Sequence, residues 1–349
     1  MNRRAFLAAT SAATAALRPA ALAATPPAPT RPRLRLGFLG VTYSHGPAKL
    51  ELALQSPDWE FVGVCDPSPA GRATCARLGA PMVSEEELLR RAQVVAVESE
   101  IRDHAAHARL TLRAGRHLHL EKTPVTRLAE MQEIVALARE RNLLVQVGFM
   151  WRYHPGFLAI LQAARAGWLG EIHLVRGFIA NFLPPERRRD WAQFPGGAMF
   201  ELGSHLIDAT VRLLGRPRAV TPFLARHGRP GDDLRDNNLA VLEYERARAV
   251  IVNLALQAGG SPPRSFEVLG SRGTATLSPI EPGRLVVDLA EAAGPYRKGS
   301  QEVPLPPYAR YQDDFIELAA AVRGEKPLAL SLEEELLSAE VILQASGMA

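Results

Sequence analysis

The chain has 349 residues, two cysteines, 22% charged residues and a formal net charge of +4. Its length exceeds what one hydrophobic core organises, so two domains are expected, and Cys65 and Cys75 form neither a disulfide framework nor a metal-ligand spacing. Arg3, Arg4 and Arg18 supply three of the positive charges and residues 1–23 carry no acid, so without that segment +4 falls to +1, which makes no case for nucleic acid.

Asn2-Arg3-Arg4-Ala5-Phe6-Leu7 is a paired-arginine start, followed by a weakly hydrophobic, alanine-rich run to Ala16 and a small-x-small site at Ala21-Leu22-Ala23. Residues 1–23 read as a twin-arginine signal peptide and 24–32 as a proline-rich linker. The run is too short and too alanine-rich to anchor the chain, so no membrane span is expected after cleavage. The expected location is the periplasm or another exported space, reached folded through the twin-arginine translocase.

From residue 33 to 150, strands and helices alternate. Strands are expected at 34–40, 59–66, 94–97, 117–120 and 144–147, and helices at 48–55, 70–78, from 84, at 104–114 and at 128–141. This alternation predicts a Rossmann-like, doubly wound parallel sheet, an α/β arrangement. From 151 to 349 the pattern becomes α+β. Helices are expected at 155–166, 199–214, 312–322 and 332–344, around an antiparallel-rich sheet built from 171–179, 239–245, 249–255, 265–269, 274–277 and 284–289.

The turn after the first strand is the expected phosphate site, because a dinucleotide fold brings backbone N–H groups at a helix N-terminus to a pyrophosphate. Of the three glycines in G-x-G-x-x-G only Gly40 is present; Thr42 and His45 stand at the other two positions, with Gly46 one late. Asp66 closes the second strand about where a carboxylate would hold an adenosine ribose. No arginine follows it at once, which favours NAD over NADP. Arg187-Arg188-Arg189, flanked by Glu186 and Asp190, reads as a solvated loop or an anionic-substrate clamp.

Glu121-Lys122-Thr123-Pro124 resembles the E-K-P signature of the Gfo/Idh/MocA oxidoreductase family, with Thr123 before the proline. Val147-Gly148-Phe149-Met150-Trp151-Arg152-Tyr153 resembles its G-F-x-x-R-[FY] segment, and residues 196–208, ending in Glu201-Leu202-Gly203-Ser204-His205-Leu206-Ile207-Asp208, its D-x-G-x-H-x-x-D segment. Residues 266–274 resemble the strand-turn-strand of its C-terminal sheet.

The resemblance implies an NAD(P)-dependent oxidoreductase acting on CH–OH groups of a sugar, sugar derivative or cyclitol, and a homo-oligomer formed through the C-terminal sheet. Lys122 would bond the substrate hydroxyl and the nicotinamide ribose, and His205 would be the general base. Glu201 and Asp208, at i−4 and i+3 from His205, would complete the catalytic face. The expected cofactor-binding residues are Gly40, Val41, Thr42, Ser44, Asp66, Ser99, His104, Glu121, Lys122 and Arg152. Two segments depart from the family pattern: Glu201 stands for an aspartate, and Ser99-Glu100-Ile101-Arg102-Asp103-His104 replaces T-P-N-x-x-H, with Glu98 and Glu100 adding acid near the expected pyrophosphate.

Export constrains the chemistry further. An exported enzyme meets no free NAD pool, so the cofactor would be inserted before export and stay bound. The alternatives are a redox-neutral glycoside hydrolase or lyase, working by transient oxidation or through a metal on Glu201 and His205, and a non-catalytic sugar-binding homologue.

Overall fold

A computed structural model describes residues 31–228, 231–258 and 264–349; the expected signal peptide and nearly all of the expected linker lie outside these residues. From Arg33 onward the described chain forms one compact unit. Among the described residues no helix is long and apolar enough to cross a membrane.

The first half is the expected alternation: β1 (Leu34–Leu39), α1 (Gly46–Gln55), β2 (Trp59–Cys65), α2 (Pro69–Leu78), α3 (Glu85–Arg91), β3 (Val94–Val97), α4 (Ile101–Arg113), β4 (His117–Leu120), α5 (Leu128–Glu140) and β5 (Val145–Val147). The strands pair in parallel in the order β2-β1-β3-β4-β5. Val94 to Val97 are all buried, as a central strand covered on both faces requires. The carboxyl ends of β1, β3 and β4 therefore converge at the crevice where such sheets bind ligands.

The second half continues with α6 (Pro155–Arg165), β6 (Ile172–Ala180), α7 (Pro185–Ala192), α8 (Ser204–Leu214), β7 (Ala219–Ala225), β8 (Asn237–Glu243), β9 (Arg248–Leu254), β10 (Arg264–Gly270), β11 (Gly273–Leu277), β12 (Leu285–Leu289), β13 (Gly299–Val303), α9 (Gln312–Val322) and α10 (Leu332–Ala345). Its sheet has the order β13-β12-β11-β10-β6-β9-β8-β7, antiparallel except where β6 meets β9. Strands β7 and β13 escape the sequence pattern because they are edge strands with few buried positions. Helix α7 escapes it because none of its residues is buried, so it shows no apolar period.

Two helices of the second half reach elements of the first. Phe315 of α9 stacks on Phe38 of β1 with ring centroids 6.3 Å apart and meets Trp59 edge-on, so α9 closes the core of the first sheet. Helix α10 lies against both α5 and α8. The expected helix over 199–214 is α8 preceded by a π turn, Met199–Gly203, a local form that recurs at functional sites.

Candidate active site

Gly40 takes φ +78°, and a Cβ there would meet the Ser99 backbone at 2.5 Å. A glycine is required because the ends of β1 and β3 approach this closely. The following Val41 N–H donates to Asp66 Oδ2 at 3.0 Å. Asp66 Oδ1 accepts from the Ser68 N–H at 3.0 Å and the Ser68 hydroxyl at 2.6 Å. A carboxylate has about four acceptor positions, so Asp66 keeps one for a ribose hydroxyl. Gly71 makes room for it, since a Cβ at that position would lie 2.2 Å from the carboxyl carbon.

Beyond Val41 the turn carries side chains where glycines were expected. Tyr43 N–H donates to the Glu98 carbonyl at 3.3 Å and Gly46 N–H to the Tyr43 carbonyl at 2.9 Å. Among the described residues the N–H groups of Thr42, Ser44 and His45 take no partner, so they face outward at the start of α1. Thr42, Tyr43 and Ser44 form one wall of a cleft of about 260 Å³, with Glu100, Ile101, Arg187, Asp190, Trp191 and Glu201 on its other sides. Turn N–H groups, a helix N-terminus and Asp66 together fit a dinucleotide.

Lys122 follows β4 and leads into a cis Lys122–Thr123 peptide bond. The residue is 4% exposed, and its ammonium donates to the Tyr43 hydroxyl at 2.8 Å, the Glu201 carbonyl at 3.0 Å and Glu201 Oε2 at 3.3 Å. Tyr43 donates to the same Glu201 oxygen at 2.7 Å. Burial and the Glu201 charge hold the Tyr43 phenol well above its ordinary pKa, so it stays neutral and donates. Three elements thus meet at one point: the first β–α turn, the end of β4 and the π turn.

His205 is 4% exposed, with Phe149 edge-on at 5.7 Å and Trp151 at 5.0 Å between ring centroids. Burial, then the Lys122 charge, pushes it well below its ordinary pKa, so the ring is neutral. Its Nδ1 is buried with no hydrogen-bond partner among the described residues.

The face shared by Glu201, His205 and Asp208 divides in space. Asp208 turns away from Lys122 and holds Arg152, at 2.7 Å and 3.0 Å, and Arg152 also reaches Glu335 at 2.6 Å and 2.9 Å. Arg152, expected at the cofactor, is thus a buried clamp joining the chain after β5 to α8 and α10. His104 is likewise fully buried, 3.0 Å from the Thr123 carbonyl and 2.9 Å from the Ser99 carbonyl; it bolts the β3–α4 turn to the segment carrying Lys122. Ser99 Oγ lies 2.9 Å from His107 Nδ1.

A second buried cluster escaped the sequence reading. Lys49 of α1 is fully buried, donating to Glu98 at 2.8 Å and to Glu121, with His119 Nε2 at 2.8 Å. Burial opposes the Lys49 charge, but Glu121 and Glu98 outweigh it and raise its pKa. Burial and Lys49 push His119 down to about 3, so it accepts as a neutral ring. Burial raises Glu98 to about 8, whereas Lys49 and His45 hold Glu121 well below the carboxylate range. Of the two, Glu98 is therefore the one pushed towards its protonated form. Glu98 is sealed inside this cluster and adds no charge to the cleft; Glu100 does line it. Glu98, His119 and Glu121 have the spacing of a metal site, and the Lys49 ammonium stands among them as the cation. Glu121 Oε1 also holds His45 at 2.8 Å, which ties this cluster to the first β–α turn. A lysine one turn into α1 gave no sequence signal, because three of its partners come from distant strand ends.

The comparisons agree with this geometry. Residues 34–149 match the model of the oxidoreductase family with an NAD-binding Rossmann fold, and residues 157–276 match the GFO/IDH/MocA C-terminal domain. The chain is 28% identical over 254 residues, 70% of it and 72% of the relative, to dTDP-3,4-didehydro-2,6-dideoxy-alpha-D-glucose 3-reductase of Streptomyces violaceoruber. It is 30% identical over 182 residues, 51% of each chain, to an oxidoreductase of Escherichia coli, and 29% identical over 163 residues to scyllo-inositol 2-dehydrogenase (NADP(+)) of Bacillus subtilis, 46% of this chain and 45% of the relative. Two of these three alignments span only about half of the relative's length. Among solved structures, GenD2 from gentamicin A biosynthesis in complex with NAD shares the fold at a TM-score of 0.77 with 22% identity, covering 92% of this chain and 95% of that one. With both halves matched and the Lys122 and Glu201–Asp208 segments meeting at the crevice, the chain belongs to the Gfo/Idh/MocA family of oxidoreductases.

Proposed function

We propose that this protein is an exported oxidoreductase that moves a hydride between a CH–OH carbon of a sugar, sugar derivative or cyclitol and a tightly held NAD(P). The observation that carries the reading is the buried Lys122 ammonium at the end of β4, bonded to Tyr43 and Glu201 beside the neutral His205. The relatives named for a nucleotide-sugar reductase and an inositol dehydrogenase support a polyol-like substrate.

The nicotinamide ring, when bound, supplies the hydride acceptor. Asp66 would hold the adenosine ribose, and the N–H groups of Thr42 and Ser44 would meet the diphosphate. Lys122 would orient the reacting hydroxyl by donating to its oxygen. That hydroxyl proton needs a base; neutral His205 can take it, and burial beside Lys122 makes the resulting imidazolium short-lived. Glu201 fixes Lys122 and keeps the pocket's charge balanced. Asp208 acts through Arg152 and has no contact with the reacting atoms in this reading.

Export is supported by the paired-arginine leader, and it favours a cofactor that does not dissociate. Association of subunits is supported by the open face of the second sheet, where half-buried Leu239 pairs with Val252 and Val241 with Val250 while Phe223 is 56% exposed. The test is to purify the protein from a host with intact twin-arginine export, denature it and measure released nucleotide by absorbance and mass. Stoichiometric NAD(P) is the expected result. Protein without nucleotide, and without affinity for added NAD+ or NADP+, would rule the reading out.

A further inference from the structure

The cleft at the first β–α turn presents an electrostatic problem for a dinucleotide. Glu100 and Asp190 line it, and so does Glu201, whose charge is balanced by Lys122. A diphosphate placed against Thr42 and Ser44 would face two further carboxylates, with only turn N–H groups and a helix N-terminus to attract it. The missing glycines leave fewer close N–H contacts than a full G-x-G-x-x-G loop offers.

One cation faces this wall from the other half of the molecule. Arg187 of α7 lines the same cleft. It is half-buried, and among the described residues its guanidinium takes no ion pair or hydrogen bond. Its charge reaches both walls: it pulls down the Tyr43 phenol and the Glu100 carboxyl, although burial raises both more strongly. Its neighbour Arg188 is used differently. Arg188 bonds Asp232, Asp236 at 2.5 Å and the Ala255 carbonyl at 2.8 Å, which pins α7 to the second sheet. With the helix anchored through Arg188, the preceding residue is held over the cleft.

We propose that Arg187 is the cation that holds the cofactor's diphosphate against the β1–α1 turn, so that the dinucleotide is clamped between both halves of the chain. A guanidinium presents a planar fork of donors that matches phosphate oxygens two at a time. It restores the attraction lost with the glycines and offsets Glu100. It also explains retention, because release of the cofactor then requires α7 to lift from the second sheet. The proposal rests on the reading that NAD(P) is bound here.

The experiment compares nucleotide retained per chain after gel filtration, and NAD+ affinity by calorimetry, in the wild type, Arg187→Gln, Arg187→Lys and Asp66→Ala. Arg187→Gln should lower retention and affinity on the order of 10- to 100-fold, the loss of one or two charge-assisted bonds. Arg187→Lys should fall between, since it keeps the charge but not the fork. Circular dichroism should show Arg187→Gln folded, as a half-buried side chain with no partner allows. Nucleotide undiminished in Arg187→Gln, with Asp66→Ala depleted, overturns the clamp and leaves the oxidoreductase reading intact. A wild type without nucleotide or NAD+ affinity overturns both. UDP-N-acetylglucosamine serves as a diphosphate control: if Arg187→Gln loses affinity for it while keeping NAD+, the arginine serves a substrate diphosphate and the proposal fails.

Discussion

The Tyr43 hydroxyl donates to Glu201 Oε2 at 2.7 Å, joining the turn after β1 to the π turn that opens the His205 helix. The same hydroxyl accepts from Lys122, so all three Lys122 protons are already directed at protein atoms. A substrate hydroxyl has to displace one of these partners. The phenol is the replaceable one, since the other two belong to Glu201 and keep the ammonium balanced.

Tyr43→Phe therefore leaves Lys122 paired but frees one donor. The expected outcome is a folded protein, less stable by about 1 kcal/mol for the lost hydroxyl, with KM for the sugar lowered a fewfold and kcat of the same order. Steady-state kinetics on the substrate that reduces the bound nucleotide checks this. A kcat loss on the order of 100-fold or more would make the phenol a proton carrier instead.

Lys122→Ala should reduce hydride transfer by on the order of 10²–10³-fold, the usual effect of removing one preorganised donor. Bound nucleotide should remain near the wild-type level, because the adenosine and diphosphate contacts lie elsewhere. Single-turnover absorbance at the nicotinamide band separates the two effects. Activity equal to wild type would remove Lys122 from the site.

Glu98 and Glu121 should respond differently to the same change. Burial pushes Glu98 towards its protonated form, so Glu98→Gln replaces a near-neutral group by a neutral one and should change stability little. Glu121→Gln removes the carboxylate that Lys49 and His45 both hold and obliges Glu98 to ionise against its burial if Lys49 is to stay paired, so it should cost the more stability of the two. Urea unfolding at neutral pH compares them, and equal losses would contradict the proton assignment.

Asp314 of α9 is buried with both carboxyl oxygens unpartnered among the described residues, and burial raises it from 3.8 to about 7. A carboxyl with a raised folded pKa holds its proton in the native state more readily than in the unfolded chain. Its contribution is fully present below about 3.8 and is lost as pH rises through about 7. Glu98 adds the same sign over a window reaching about 8. Buried His119 and His205, held below their ordinary pKa of 6.5, act in the opposite sense at acidic pH, so the Asp314 contribution is read as a difference: relative to wild type, Asp314→Asn should gain stability in urea unfolding as pH rises from about 3.8 through about 7.

Arg152→Met strands Asp208 and Glu335 in the interior, so stability should drop by about 3–5 kcal/mol at neutral pH. Burial already raises Glu335, and without Arg152 its pKa should rise further. The gap to wild type should then narrow on acidification, as the stranded carboxyls take up protons. Nucleotide content in the folded fraction should be unchanged; depletion there would return Arg152 to the cofactor.

The sequence by itself determined the two architectures and the segments that carry the site. Strand and helix periods are local, so alternation to residue 150 and short strands after it were readable, as was the Lys122 turn. Edge strands β7 and β13 and exposed helix α7 were not, because an element with little buried surface leaves no apolar period. Only the tertiary structure decided how charges are shared. Helical spacing placed Glu201, His205 and Asp208 on one face, yet Glu201 goes to Lys122 and Asp208 to Arg152. Glu98, a threat to the cofactor in the sequence, is buried against Lys49 from forty-nine residues away and pushed towards its neutral form. Ion pairing is set by distance in space and by burial, and neither quantity is written in the order of residues.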